Sequence, residues 1–134
     1  MTRGVLVVDA ANVVGARPDG WWKDRAAAAA RLLAGLDAAV EHGVAEELTA
    51  RHVVVVLEGR ATAAADARPE RLEVVRAERD GDAAIVDVVA ARRDDDLLVV
   101  TSDRALRERV EALGARTRGA GWLRDLLDAV PPTW

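Results

Sequence analysis

The chain has 134 residues, 51% of them apolar and 31% charged, the balance of a folded globular chain rather than a disordered one. A net charge of −4 argues against a generally basic nucleic-acid surface, and the absence of cysteine excludes disulfides, thiolate metal sites and thiol catalysis. The apolar runs are strand-length, too short to span a bilayer, and no secretory leader pattern opens the chain. The expectation is therefore a single domain over 1–134, cytoplasmic and without membrane contact.

Residues 4–8 (GVLVV) read as a buried strand, and Asp9 and Asn12 stand where it should end. These two either close a turn and cap the next element or face a ligand. The stretch ARPDGWWKDR then reads as a loop, with Pro18, Asp19 and Gly20 as a turn signal before Trp21 and Trp22. One indole suits stacking on a base, with Arg17, Lys23 or Arg25 near phosphates. Because the chain has no Phe or Tyr, Trp is equally its only large aromatic for the core. Residues 24–42 predict an Ala-rich helix with Leu32, Leu33, Leu36 and Val40 on one stripe and Gly43 as its stop, and 44–50 adds a turn or two.

Residues 53–57 (VVVVL), 72–76 (LEVVR) and 97–101 (LLVVT) are further β-branched runs, of the kind found in parallel strands covered on both faces. Residues 115–118 form a short polar edge strand. Between them, 82–92 place Ile85, Val88 and Val89 on one helical face, 103–113 place Leu106, Val110 and Leu113, and 121–129 carry Trp122, Leu126 and Leu127. The RRDDD run at 92–96 reads as a solvated loop. Alternating strands and helices predict an α/β sandwich around a mostly parallel sheet.

In such a sheet, ligands bind outside the carboxyl ends of the strands. Asp9 follows the first strand, Glu58 the second and Asp103 the fourth, while Asp82 opens the helix after the third. Taken singly, each acid serves as well for a helix cap or dipole partner as for a site. Four elements delivering an acid to one edge point to function. Clustered carboxylates must take up protons or share a cation, and oxygen-only ligands favour Mg²⁺ or Mn²⁺, which polarise phosphoryl oxygens. Asp87, five residues after Asp82, points about 140° away and reads as solvated or salt-bridged. Arg104 stands beside the cluster, available to a phosphate or to an ion pair with Glu108. All but one of the 19 Lys and Arg residues are Arg, which is either a compositional bias or a reserve for phosphate recognition.

The motifs VLVVDAANVVG, VVVVLEG, GDAAIVDVVA and LLVVTSDRALRERVEALGA resemble, in order over about 4–116, the NYN branch of PIN-like ribonuclease domains. The most specific piece is D-x-x-N after strand one combined with T-S-D-R after strand four. The resemblance implies a three-layer sandwich with a five-stranded, mostly parallel sheet of order 3-2-1-4-5. It also implies a Mg²⁺- or Mn²⁺-dependent endoribonuclease that hydrolyses RNA to leave a 5′-phosphate and a 3′-hydroxyl. Asp9, Asp82 and Asp103 would be the metal ligands. Asn12 would orient substrate or a water, and Ser102 would hydrogen-bond within the acidic site. Two departures stand out: Glu58 where relatives often carry Asp, and no further acid after Asp103, because Glu108 faces elsewhere. Glu58 is a fourth candidate ligand, and Arg104, Trp21 and Lys23 are candidate substrate contacts.

Phosphatases that pair two Asp residues at strand one find Ala11 at the second position, and receiver domains want a late Lys where the only Lys is Lys23. The two rivals are a toxin-type PIN ribonuclease neutralised by an antitoxin partner and a non-catalytic RNA-binding or scaffold domain on the same fold. The strand-five edge and Trp134 offer surfaces for a homodimer, although no pattern requires one.

Overall fold

A computed structural model describes residues 4–16, 20, 23–42, 51–59, 61–62 and 71–129. The described elements run β1 (Gly4–Asp9), α1 (Ala10–Gly15), α2 (Arg25–His42), β2 (His52–Leu57), β3 (Leu72–Arg76), α3 (Gly81–Ala91), β4 (Asp96–Val100), α4 (Arg104–Ala112), β5 (Arg116–Arg118) and α5 (Ala120–Asp128). The five strands form one sheet in the order β3-β2-β1-β4-β5, and every neighbouring pair is parallel. This is the expected three-layer α/β sandwich, with the expected strand order 3-2-1-4-5.

The layers follow from the two-residue period of the strands. Leu6, Val8, Val53, Val55, Leu57, Leu98 and Val100 face one side, where they pack with Val13 of α1, Leu32, Leu33 and Leu36 of α2 and Leu123 of α5. Val5, Val7, Val54, Val56, Leu97 and Val99 face the other, against Ile85 and Val89 of α3 and Leu106 and Val110 of α4. Both faces are covered, which is why the strands read as unbroken apolar runs. Leu6, Leu36, Ile85 and Leu106 are all fully buried, and burial of a side chain of this size contributes roughly 1.5–3 kcal/mol. Trp122, Leu126 and Leu127 pack half-buried against the first cluster, as their spacing anticipates.

The structure adds one element to which the sequence reading assigns no secondary structure. The six residues AANVVG fold as α1, with Asp9 as N-cap accepting from Asn12 N at 3.3 Å. Arg124 of α5 closes the other end, its Nε donating to Val13 O at 3.1 Å. Asp24 caps α2 by accepting from Ala27 N at 3.0 Å. The helical turn expected at 44–50 lies outside the described residues.

At the amino edge of the sheet, the RRDDD run is more than a solvated loop. Asp96 takes Arg51 Nη2 and Arg116 Nη2, each at 3.0 Å, while Arg51 also donates to Asp96 O at 2.8 Å. Glu73 takes Arg92 Nη2 at 3.0 Å and lies 2.8 Å from His52 Nε2. These pairs clasp the starts of neighbouring strands. No helix among the described residues is long and apolar enough to cross a membrane.

Candidate active site

The order of the strands fixes where polar side chains gather. β1 lies between β2 and β4, so its carboxyl end is the point where the sheet's connections diverge to opposite sides. Register pairs Val8 with Val100 and Asp9 with Val56. Asp9 and Thr101 therefore emerge side by side, one residue past the last pair, and Glu58 lies two residues past Val56.

Asp9 is 6% exposed and Thr101 is fully buried. Thr101 Oγ1 donates to Asp9 Oδ2 at 2.9 Å and accepts from Asp103 N at 3.1 Å, so one hydroxyl ties two candidate acids together. Asp103 caps α4, its Oδ1 accepting from Leu106 N at 3.1 Å. The Asp9 carboxyl is pushed up to about 6, mainly because burial disfavours its charge; Asp82 and Glu58 add repulsion, and the bonds from Thr101 and Asn12 pull the other way. Asp82, in the first turn of α3, is also raised, first by desolvation and then by Asp103, Asp80 and Glu58, with Arg109 opposing. The four acids thus share one electrostatic environment. Among the described residues none of Asp9, Glu58, Asp82 and Asp103 forms an ion pair.

Glu58 reaches sideways. Its Oε2 accepts from Gly81 N, the first residue of α3, while Asp80 caps the same helix by accepting from Ala83 N at 2.7 Å. An aspartate at position 58, one methylene shorter, would not span that gap as readily. The approach is close: a Cβ at position 81 would lie 2.8 Å from Glu58 Oε2 and would push that carboxylate aside. Glu58 therefore holds the helix that carries Asp82.

Asn12 and Ser102 are brought together, with their polar atoms committed locally. Asn12 Oδ1 accepts from Ser102 N at 2.7 Å, and Ser102 Oγ accepts from Ala120 N at 2.9 Å, which caps α5. Asn12 Nδ2 keeps no partner among the described residues. Arg104 is exposed at the start of α4 and makes no ion pair with Glu108, so its guanidinium is available at the mouth of the site. Arg107, on the same face, is instead held by Thr117 Oγ1 at 3.0 Å. Lys23 is exposed, next to the turn made by Gly20 at φ 82°. Trp21, Trp22 and Arg17 lie outside the described residues, as does Trp134. Asp87 is exposed on the outer side of α3, as expected.

The solved structure of Rae1 (YacP) from Bacillus subtilis superposes on this chain with a TM-score of 0.75 at 21% identity, covering 94% of this chain and 74% of that one. The chain shares the Rae1 fold. The W164L mutant of Rae1 gives a TM-score of 0.70, also at 21% identity, with 94% and 75% of the two chains covered. No protein-family model and no curated protein matches the sequence. The Rae1 likeness confirms the sandwich and its strand order. It leaves the chemistry of the edge to the side chains just described.

Thr101 is the residue that the sequence reading passes over. It stands inside the T-S-D-R motif, but attention to carboxylates and capping residues favours its two neighbours. Its position one residue beyond a fully buried strand, beside Asp9 in register, is the signal that finds it.

Among the described residues no three of His, Asp and Glu already stand together as a metal cage. The donor chemistry nonetheless suits a hard divalent cation. Every candidate ligand is a carboxylate oxygen, and two of them, Asp9 and Asp82, are raised in part by neighbouring acids whose repulsion a cation would relieve.

Proposed function

We propose that the chain is an NYN-type, metal-dependent endoribonuclease whose site is the carboxyl edge of β1, β2 and β4. The observation that carries this reading is the raised carboxyl of Asp9, buried at the sheet's switch point and facing the charges of Asp82 and Glu58. An acid cluster with no ion pair among the described residues is costly to keep unless a ligand balances it. The fold shared with Rae1 is consistent with this placement.

In this reading Asp9, Asp82 and Asp103 hold a Mg²⁺ or Mn²⁺ ion, with Glu58 as an auxiliary acid that also fixes the start of α3. The bound ion supplies Lewis acidity toward a phosphoryl oxygen of RNA. Thr101 holds Asp9 and the Asp103 backbone in their relative positions through its hydroxyl. Asn12, locked by Ser102 N, presents Nδ2 toward the substrate, and Arg104 meets a phosphate next to the scissile one. The groove lined by Ser102, Arg104, Arg107, Glu108 and Glu111 borders the site and offers the strand a path.

The test is cleavage of a labelled single-stranded RNA with Mn²⁺, Mg²⁺ or EDTA, by the wild-type protein and by Asp9→Asn. Metal-dependent cleavage to 5′-phosphate ends, abolished by Asp9→Asn, is the expected result. Identical traces from both proteins, with no response to metal, would overturn the enzyme reading. One observation favours a second reading, an RNA-binding domain without catalysis: oxygens of Asp9, Glu58 and Asp103 are already engaged by internal donors. RNA binding without cleavage in the same assay would select it.

A further inference from the structure

Beside the acid cluster, on the α2 side of the sheet, lies a small pocket that the proposed chemistry does not use. Ala10, Ala11 and Val14 of α1, Ala29 of α2 and Ala61 form its apolar walls, and Glu58 and Arg25 supply its polar groups. Its volume is about 120 Å³. Pockets for drug-sized ligands run to about 300–1,000 Å³, so this one takes a single ring system rather than a whole nucleotide.

We infer that this pocket receives one nucleobase of the RNA strand and selects a base bearing an exocyclic amino group over uracil. The inference rests on the nuclease reading for its strand; the pocket shares Glu58 with the acid cluster, and Asp9, Asp82 and Asp103 do not line it. Continuity comes from two residues: Ala10 directly follows Asp9, and Glu58 borders both the acid cluster and the pocket. A strand whose phosphate lies at the acids therefore has a base within reach of the pocket. The alanine walls leave a slot for a flat apolar face, the kind of surface on which enzymes seat an unstacked base. The selectivity follows from Glu58. Its Oε2 is held by Gly81 N, and an ionised carboxylate only accepts hydrogen bonds. Adenine, cytosine and guanine present amino donors to such a group, whereas uracil presents two carbonyls around a single N–H. Arg25 also lines the pocket.

The experiment measures binding of short homopolymeric A, C and U RNAs by fluorescence anisotropy in EDTA, where cleavage is suppressed, and cleavage of the same RNAs with Mn²⁺. The A and C strands are expected to bind at least about fivefold more tightly than the U strand. Ala11→Leu, an exposed position whose new side chain fills the slot, is expected to erase that preference. Glu58→Gln, which retains an acceptor for Gly81 N and gains a donor for a carbonyl, is expected to move it toward U. Equal binding of all three strands by a protein that cleaves them overturns the pocket alone. A preference kept by a protein that cleaves nothing upholds the pocket and overturns the nuclease reading. A preference unaltered in both variants overturns the pocket, and no binding of any strand overturns both.

Discussion

Replacing Asp9 by Asn removes one charge from the most buried acid of the site and keeps its shape. The amide oxygen can still accept from Asn12 N, and the amide nitrogen can donate to the Thr101 hydroxyl. In the folded protein the Asp9 carboxyl sits near 6 against 3.8 for an unperturbed group. The folded state therefore holds the proton more tightly than the unfolded chain does. The stability from this group is fully present below pH 3.8 and is lost as pH rises through 6, a fall of about 3 kcal/mol. For a domain of this size 1 kcal/mol moves Tm by about 3–5 °C, so the loss amounts to about 10 °C. Thermal unfolding in EDTA, followed by circular dichroism from pH 4 to 8, compares the two proteins directly, and the other titrating groups are common to both. The curves should lie close together at pH 4 and separate toward pH 7, with Asp9→Asn the more stable. Manganese should reverse the order at pH 8 by stabilising only the wild type. Parallel curves across the whole range would refute the claim that an uncompensated buried charge resides at Asp9.

Thr101→Val keeps the volume and removes the bond to Asp9 and the acceptor for Asp103 N; it should cost about 1.5–3 kcal/mol at pH 8 in urea unfolding, and less at pH 4 where Asp9 is protonated. Gly81→Ala gains up to about 1 kcal/mol of helix propensity, but its Cβ displaces Glu58. The net effect should be a lower Tm, together with exposure of the α3 start to hydrogen exchange. Arg104→Ala removes an exposed side chain with no ion pair to Glu108, so stability should stay within about 0.5 kcal/mol of wild type. RNA affinity should fall, with a shallower salt dependence.

The sandwich was legible because the strands are covered on both faces. Runs such as VVVVL and LLVV admit few other placements, and Gly- and Asp-marked helix ends separate them. α1 was not legible, because AANVVG is short, β-branched and ends in glycine, and it is secured by Arg124 from 111 residues away. The acids could be placed at one edge from their positions after the strands. Their bonds could not, since the links from Ser102 N to Asn12 and from Gly81 N to Glu58 join residues that no local pattern pairs. Ser102 illustrates the difference: the sequence offers it to the acidic site, and the fold commits its hydroxyl to the start of α5.

The two edges of the sheet carry opposite electrical arrangements. At the amino edge Asp96 and Glu73 each meet two basic partners. At the carboxyl edge, by contrast, four acids share one electrostatic environment without an ion pair among the described residues. A chain so rich in arginine does not leave those acids bare for want of cations. Added salt therefore acts on the two ends in opposite senses, weakening the clasps while relaxing the repulsion. Overall stability should respond little to ionic strength, while the affinity of the carboxyl edge for divalent cations should respond steeply.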